Sequence, residues 1–139
     1  MQTFLPYPNI QQSVKCLDYR RLGKQRVEAY QIVQTIQNPL ANGWRNHPAV
    51  LMWKDNVPAL LHFMDACILE WIERGYKNNM KLSHINGPLP SWFGGPFHAS
   101  VRARLLSKNP EFYGKYGWTE VPRSDEEGYI WPIKSSLKV

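Results

Sequence analysis

Glu28 stands four residues after Lys24 in the run L-G-K-Q-R-V-E-A, residues 22–29, a few residues beyond Arg20 and Arg21. At 100° per residue these three cations and the one carboxylate share about a quadrant of a helix. The plain account is an exposed i,i+4 ion pair worth about 0.3–0.5 kcal/mol. The chemical account starts from the surroundings. A face bearing Arg20, Arg21 and Lys24 attracts phosphates, and an anion there weakens that attraction unless a reaction needs it. Neighbouring cations are expected to hold such a carboxylate ionised at neutral pH, ready to accept a proton or to stabilise developing positive charge. A second constellation is E-F-Y-G-K-Y-G, residues 111–117. Rings at Phe112, Tyr113 and Tyr116 suit stacking on exposed bases, Lys115 suits a phosphate, and the glycines permit close backbone approach. A tightly packed aromatic loop is the alternative. Arg102 and Arg104 lie about 200° apart on a helix, so at most one can face a shared ligand while the other meets solvent or an acid.

The remaining reactive side chains point away from metal chemistry. Cys16 and Cys67 are far apart, with no C-x-x-C and no histidine at ligand spacing, and read as small buried hydrophobes. His47, His62, His84 and His98 share no metal-like spacing and read as hydrogen-bonded structural residues, with His98, at the start of a basic helix, the exception. G-x-x-x-x-G-K-[ST], G-x-G-x-x-G and G-x-S-x-G are all missing, which removes the usual signatures of nucleotide hydrolysis, dinucleotide binding and the serine-hydrolase elbow.

Helices must position these groups. Pro6 and Pro8 keep the opening extended over the body. A helix is expected from Ser13 or Asp18 to Gln37, with Leu22, Ala29, Val33 and Ile36 as its apolar stripe and Arg26, Tyr30 and Ile32 at the margins. A turn at Asn38–Gly43 leads into W-R-N-H-P, residues 44–48, where Pro48 can open a short helix through Trp53. A longer helix follows Pro58, with Asn56 as cap, Leu60, Leu61, Met64, Cys67, Ile68, Trp71 and Ile72 at helical spacing, and Gly75 at the C-terminal cap. This is expected to be the most buried helix. The glycine- and proline-rich stretch 77–96 reads as loop, a third main helix as running from Phe97 or His98 to Ser107, and the segment from Trp118 as irregular chain. The expected class is all-α, one helical domain over residues 1–139.

Composition agrees with a folded protein that meets a polyanion. The 139 residues are 43% hydrophobic and 20% charged, with 17 Lys and Arg against 11 Asp and Glu, a net charge of +6. The excess is uneven: residues 1–54 carry +5 and residues 82–117 carry +3, with −1 in each of the other two stretches. Two separated basic segments suggest a binding surface assembled by folding, and solvated helix faces are the alternative. No stretch is apolar enough for a membrane span, and M-Q-T-F-L-P-Y-P-N-I has no leader character, so a cytoplasmic protein, nucleoid-associated or in a phage host, is expected.

Three segments, in order, resemble the pyrimidine-dimer DNA glycosylase family of the phage endonuclease V type. Leu22–Ala29 is similar to the first-helix motif of that family. Trp53–Tyr76, ending in I-L-E-W-I-E-R-G-Y, is similar to its long second helix, and His98–Gly117 to a segment ending in P-x-W-Y-K-Y-Y-G. The resemblance rests on these three segments, 52 of the 139 residues. It implies an all-α, metal- and cofactor-independent glycosylase acting on damaged or modified double-stranded DNA as a monomer, with strand cleavage at the abasic site as an accompanying lyase step. It also implies a catalytic Glu, which falls on Glu28, and a nucleophilic N-terminal α-amine that attacks C1′ and forms an imine. A free α-amine, with a reference pKa of about 8, keeps a useful neutral fraction near pH 7 that a lysine lacks. The family exposes a threonine by removing the initiator Met, whereas this chain begins Met1-Gln2-Thr3. A bulky Gln2 blocks that removal, which puts the amine on Met1; if Met1 were removed, Gln2 could cyclise and lose its amine. Val27 stands where the family has an arginine before the Glu. The expected DNA-binding set is Arg20, Arg21, Lys24, Arg26, Arg45, His98, Arg102, Tyr113, Lys115 and Tyr116. A glycosylase for another modified pyrimidine, a non-catalytic binder of damaged DNA and an RNA-directed protein are the competing readings.

Overall fold

The computed structural model describes residues 1–38, 40 and 43–133. Among them are six α-helices and no strand: α1 (Ile10–Cys16), α2 (Tyr19–Gln37), α3 (Pro48–Leu51), α4 (Val57–Glu73), α5 (Phe97–Lys108) and α6 (Pro110–Tyr113), with 310 turns at Gly43–Asn46 and Gly114–Tyr116. The all-α expectation holds.

Of the two expected starts of the first long helix, Ser13 and Asp18, the structure takes Asp18, and a separate short helix, α1, precedes it. Leu17 is extended, and Asp18 begins a new helix by accepting the Arg21 N–H on its side chain. The Asp18 N–H, which a continuous helix would give to a preceding carbonyl, goes instead to the Tyr113 hydroxyl at 3.0 Å. A side chain 95 positions away therefore sets this boundary.

α2 and α4 form the most extensive helix pair. Leu22, Ala29, Ile32 and Val33 of α2 meet a core that includes Leu60, Phe63, Met64, Cys67 and Ile68 of α4. Ile32 moves from the expected margin to full burial, and Gln25 occupies a buried place in the same stripe. Gly23 lets the two helices approach: a Cβ there would lie 2.9 Å from two ring atoms of Trp71. α4 is deeply buried only in its first three turns, since Leu69 and Ile72 emerge about half exposed. Asn56 holds the cap position without a side-chain cap bond, and Gly75 takes the left-handed conformation at φ 90° that ends the helix.

The connection between α4 and α5 is loop, as its glycines and prolines imply. The buried Asp65 carboxylate organises it by accepting the N–H groups of Ser83 and His84 at 2.8 and 2.9 Å and the Ser83 hydroxyl at 2.9 Å. Both cysteines are free and buried, and burial pushes the Cys16 thiol up to about 12. The described residues after Trp118, through 133, form no helix or strand but pack along α5: Arg123 donates its N–H to the Ala103 carbonyl, and Ile130 to the Ser100 hydroxyl. No described helix is long and apolar enough to cross a membrane.

Candidate active site

The extended N-terminal segment threads between helices and is tied down almost residue by residue. Gln25 of α2 donates from its amide to the Gln2 carbonyl at 3.2 Å and accepts the Phe4 N–H. The Trp53 indole donates to the Thr3 hydroxyl at 3.2 Å, His98 Nδ1 to the Leu5 carbonyl at 2.8 Å, and Arg102 to the Pro6 carbonyl at 2.6 Å. Thr3, Phe4 and Leu5 are buried as a result. Met1 is left half-buried at the end of this anchored segment.

That amine lies close enough to two side chains to act on both by its charge. At Glu28 burial is the largest influence and raises the carboxyl above its ordinary range, while Lys24, the terminal amine and the Gln2 N–H pull it down by less. Lys24 and the amine act in the expected direction, favouring the ionised form, and desolvation is the larger influence against them. One carboxylate oxygen of Glu28 is buried with no hydrogen-bond partner. At His47 burial again dominates and lowers the imidazole, with the terminal amine adding to the effect. His47 Nδ1 accepts the Ala49 N–H at 3.0 Å, capping α3, so His47 is the structural residue it was expected to be.

Met1 and Trp44 line two adjoining hollows. The larger, about 700 Å³, is a basic cleft with Arg20, Arg21, Lys24, Arg104 and Lys108 on its walls and Asp125 as the one acid among its lining residues. Asp125 pairs with Lys108 at 2.9 Å and with Arg104, and Arg21 pairs with Asp18 at 3.1 Å. Arg20 and Lys24 make no ion pair among the described residues and are exposed. The smaller hollow, about 360 Å³, is lined by Glu28, Gln31, Gln34 and Thr35. Glu28 thus faces the small hollow, the cations face the large one, and the amine stands where they meet. Such an arrangement can hold a phosphodiester on one side of a nucleophile and carry out proton transfer on the other.

Of the residues singled out in the sequence, Met1, Arg20, Arg21 and Lys24 line the larger hollow, and Met1 and Glu28 the smaller. The other expected residues lie elsewhere. His98 is 2% exposed, accepts the Gly94 N–H on Nε2 and donates from Nδ1, so it is a neutral core residue with no surface for DNA. Tyr113 is fully buried, its hydroxyl donating to Asp18. Tyr116 gives its hydroxyl to the Cys16 carbonyl at 3.0 Å and stacks on Trp118, so the 111–117 loop takes the packed-aromatic alternative except at exposed Lys115. Arg102 is spent on Pro6 and on Glu120, at 2.8 Å, and Arg104 is the arginine of that pair that reaches the cleft. Arg26 donates to Asn78 at 2.7 Å and lies 4.9 Å from the centre of the Trp71 ring, away from both hollows. Arg45 is exposed on the turn that carries Trp44.

Gln25, Trp44, Lys108, Tyr129 and Trp131 escaped the sequence reading as site residues, and Arg104, weighed there as the alternative to Arg102, was left out of the expected DNA-binding set. Among the residues missed outright, Gln25 left a signal, as an amide beside the apolar stripe of α2. No group of three or more His, Cys, Asp or Glu among the described residues is placed to hold a metal ion.

Comparison with known proteins bears on the same part of the chain. The model of a family described as pyrimidine dimer DNA glycosylase matches residues 1–84, which contain the anchored N-terminus, α2 and α4. No curated protein and no solved structure matches the chain.

Proposed function

Since the chain belongs to the pyrimidine dimer DNA glycosylase family, we propose that it releases a damaged pyrimidine from duplex DNA with the Met1 α-amine as nucleophile and Glu28 as the proton-handling carboxylate. The observation that carries this reading is the anchoring of Met1 between Glu28 and a basic cleft by Gln25, Trp53, His98 and Arg102. Arg20, Lys24 and Lys108 hold phosphates and present C1′ to the amine. The nitrogen lone pair forms a bond to C1′, and the bond from C1′ to the base breaks with its electrons leaving on the base, which takes up a proton. Glu28 accepts the proton shed by the nitrogen. As the C1′–O4′ bond opens to an imine, O4′ is protonated in turn. Loss of a C2′ proton then expels the 3′ phosphate and cuts the strand, and water releases the amine from the product. A carboxyl kept above its ordinary range suits this exchange, because the donor and acceptor forms lie closer to neutral pH.

Borohydride reduction during reaction with abasic duplex DNA is the test. The expected result is a covalent adduct whose mass maps to the peptide beginning with Met1. No adduct would make the protein a binder, and an adduct on Lys24 or another side chain would move the nucleophile off the terminus.

A further inference from the structure

Resting on the glycosylase reading, we infer that His47 takes part in the reaction: its Nε2–H donates a hydrogen bond to an uncharged oxygen beside C1′ of the nucleotide that the amine attacks. Capping α3 occupies only one of the two ring nitrogens. His47 Nδ1 accepts the Ala49 N–H at 3.0 Å, so the neutral ring carries its proton on Nε2. Nε2 has no hydrogen-bond partner among the described residues, and it is not sealed in. The ring lines the basic cleft with Met1, and Trp44 and Trp131 meet it edge to face, their ring centroids 5.4 and 5.7 Å away. Cap and indoles leave it little freedom to turn. A cap by itself asks for less, since Asn, Asp, Ser and Thr are the side chains that serve that position best. Histidine adds a donor on the far edge of the ring.

The charge state of the ring suits that place. Burial holds the imidazole below its ordinary value of 6.5 and the terminal amine adds to the effect, so the ring is neutral where the amine works. The cleft already presents Arg20, Arg21, Lys24, Arg104 and Lys108 for phosphates. One more cation would also oppose the positive charge that develops at C1′ as its bond to the base breaks. A neutral donor does not. It strengthens its hold on an oxygen that is uncharged at first and gains electrons as a bond at C1′ breaks, either O4′ when the sugar ring opens or the O2 carbonyl of the pyrimidine when the base departs. Fixed donors aimed at such an oxygen favour the transition state over the bound substrate. His47 keeps its proton throughout, so the proton transfers of the reaction are unchanged.

Two substitutions separate the two nitrogens. In His47→Asn the short carboxamide can still cap the Ala49 N–H from the Nδ1 position but does not extend to the place of Nε2; in His47→Gln the longer carboxamide carries an N–H to that place and gives up the cap. The full-length variants are compared with wild type by melting temperature and by the single-turnover rate of the borohydride-trapped adduct on two duplexes, one with a cyclobutane pyrimidine dimer and one with a preformed abasic site. His47→Asn is expected to melt with wild type and to trap at least about tenfold more slowly on the dimer duplex. His47→Gln is expected to melt lower and to trap within about threefold of wild type at a temperature where it is folded. Slowing of His47→Asn on both duplexes would place the acceptor at O4′, and slowing on the dimer duplex alone would place it on the base. Wild-type rates in His47→Asn, or rates that follow melting temperature across the two variants, would overturn the inference and leave His47 a helix cap. Wild-type protein that forms no adduct on either duplex would instead overturn the glycosylase reading, and the role of His47 with it.

Discussion

Glu28 is held in an environment that costs stability. Burial lifts its carboxyl above the ordinary value of 4.5, so ionising it costs more in the fold than in the unfolded chain. The sign follows from proton binding: below about pH 4.5 both states are protonated and no penalty exists, and the penalty grows as pH rises and is complete above the raised folded value. Glu28→Gln removes it. The variant should therefore melt above wild type at pH 7, with the difference closing as pH falls toward 4.5, which a melting series across pH would follow. A difference that ignores pH would sink the desolvation account. DNA affinity should stay level or rise, because an anion beside a basic cleft is lost. Base release should nevertheless slow by about 100-fold or more, the usual consequence of deleting an acid or base. Near-normal turnover would put the catalytic carboxylate elsewhere.

At the scale of elements, the position of the amine depends on how α2 grips the N-terminal segment. Gln25→Ala leaves the Phe4 N–H and the Gln2 carbonyl without their buried partner, at about 1–3 kcal/mol for each unsatisfied group. Urea denaturation should show a loss of about 2–4 kcal/mol. Imine trapping should slow as well, even where the variant is fully folded; trapping at the wild-type rate would show that the grip is not what places the amine. The packing of α2 on α4 gives a separate prediction at Gly23. Alanine improves helix propensity by up to about 1 kcal/mol, but its Cβ would collide with the Trp71 ring. That ring is not free to swing: its indole N–H donates to the Lys77 carbonyl at 2.9 Å, and it stacks on Tyr76 at 4.4 Å. Gly23→Ala should therefore destabilise by about 1–2 kcal/mol net. A more stable variant would mean that the ring yields.

For the whole molecule, net charge matters less than where folding collects it. Five cations drawn from α2 and α5 converge on one cleft with one acid. If four or five phosphates are neutralised there, log affinity for duplex DNA should fall with log salt at a slope of about −4 to −5. A flat response would argue against a phosphate-holding cleft. Asp125 works against that cleft by occupying Lys108 and Arg104. Asp125→Asn should release both, raise affinity and steepen the slope, and an unchanged slope would mean that neither cation reaches a phosphate.

The helical class, the loop between α4 and α5, the cap at Gly75 and the placing of Glu28 on one helix with Arg20, Arg21 and Lys24 are all legible in the order of the residues. All of these are local: apolar periodicity, glycine and proline placement and positions on one helix face are properties of neighbouring residues. Which distant groups meet follows from how the segments pack. The break between α1 and α2 depends on Tyr113, the place of Met1 depends on Gln25, Trp53, His98 and Arg102, and the burial that raises Glu28 depends on the chain folded over it. His98 and Tyr113 looked like ligands because their chemistry is versatile, and packing then took them into the core. Of Arg102 and Arg104, the helical angle says only that they diverge. The chain on either side decides which one serves the cleft, since burial and hydrogen bonding are settled between segments that the sequence keeps far apart.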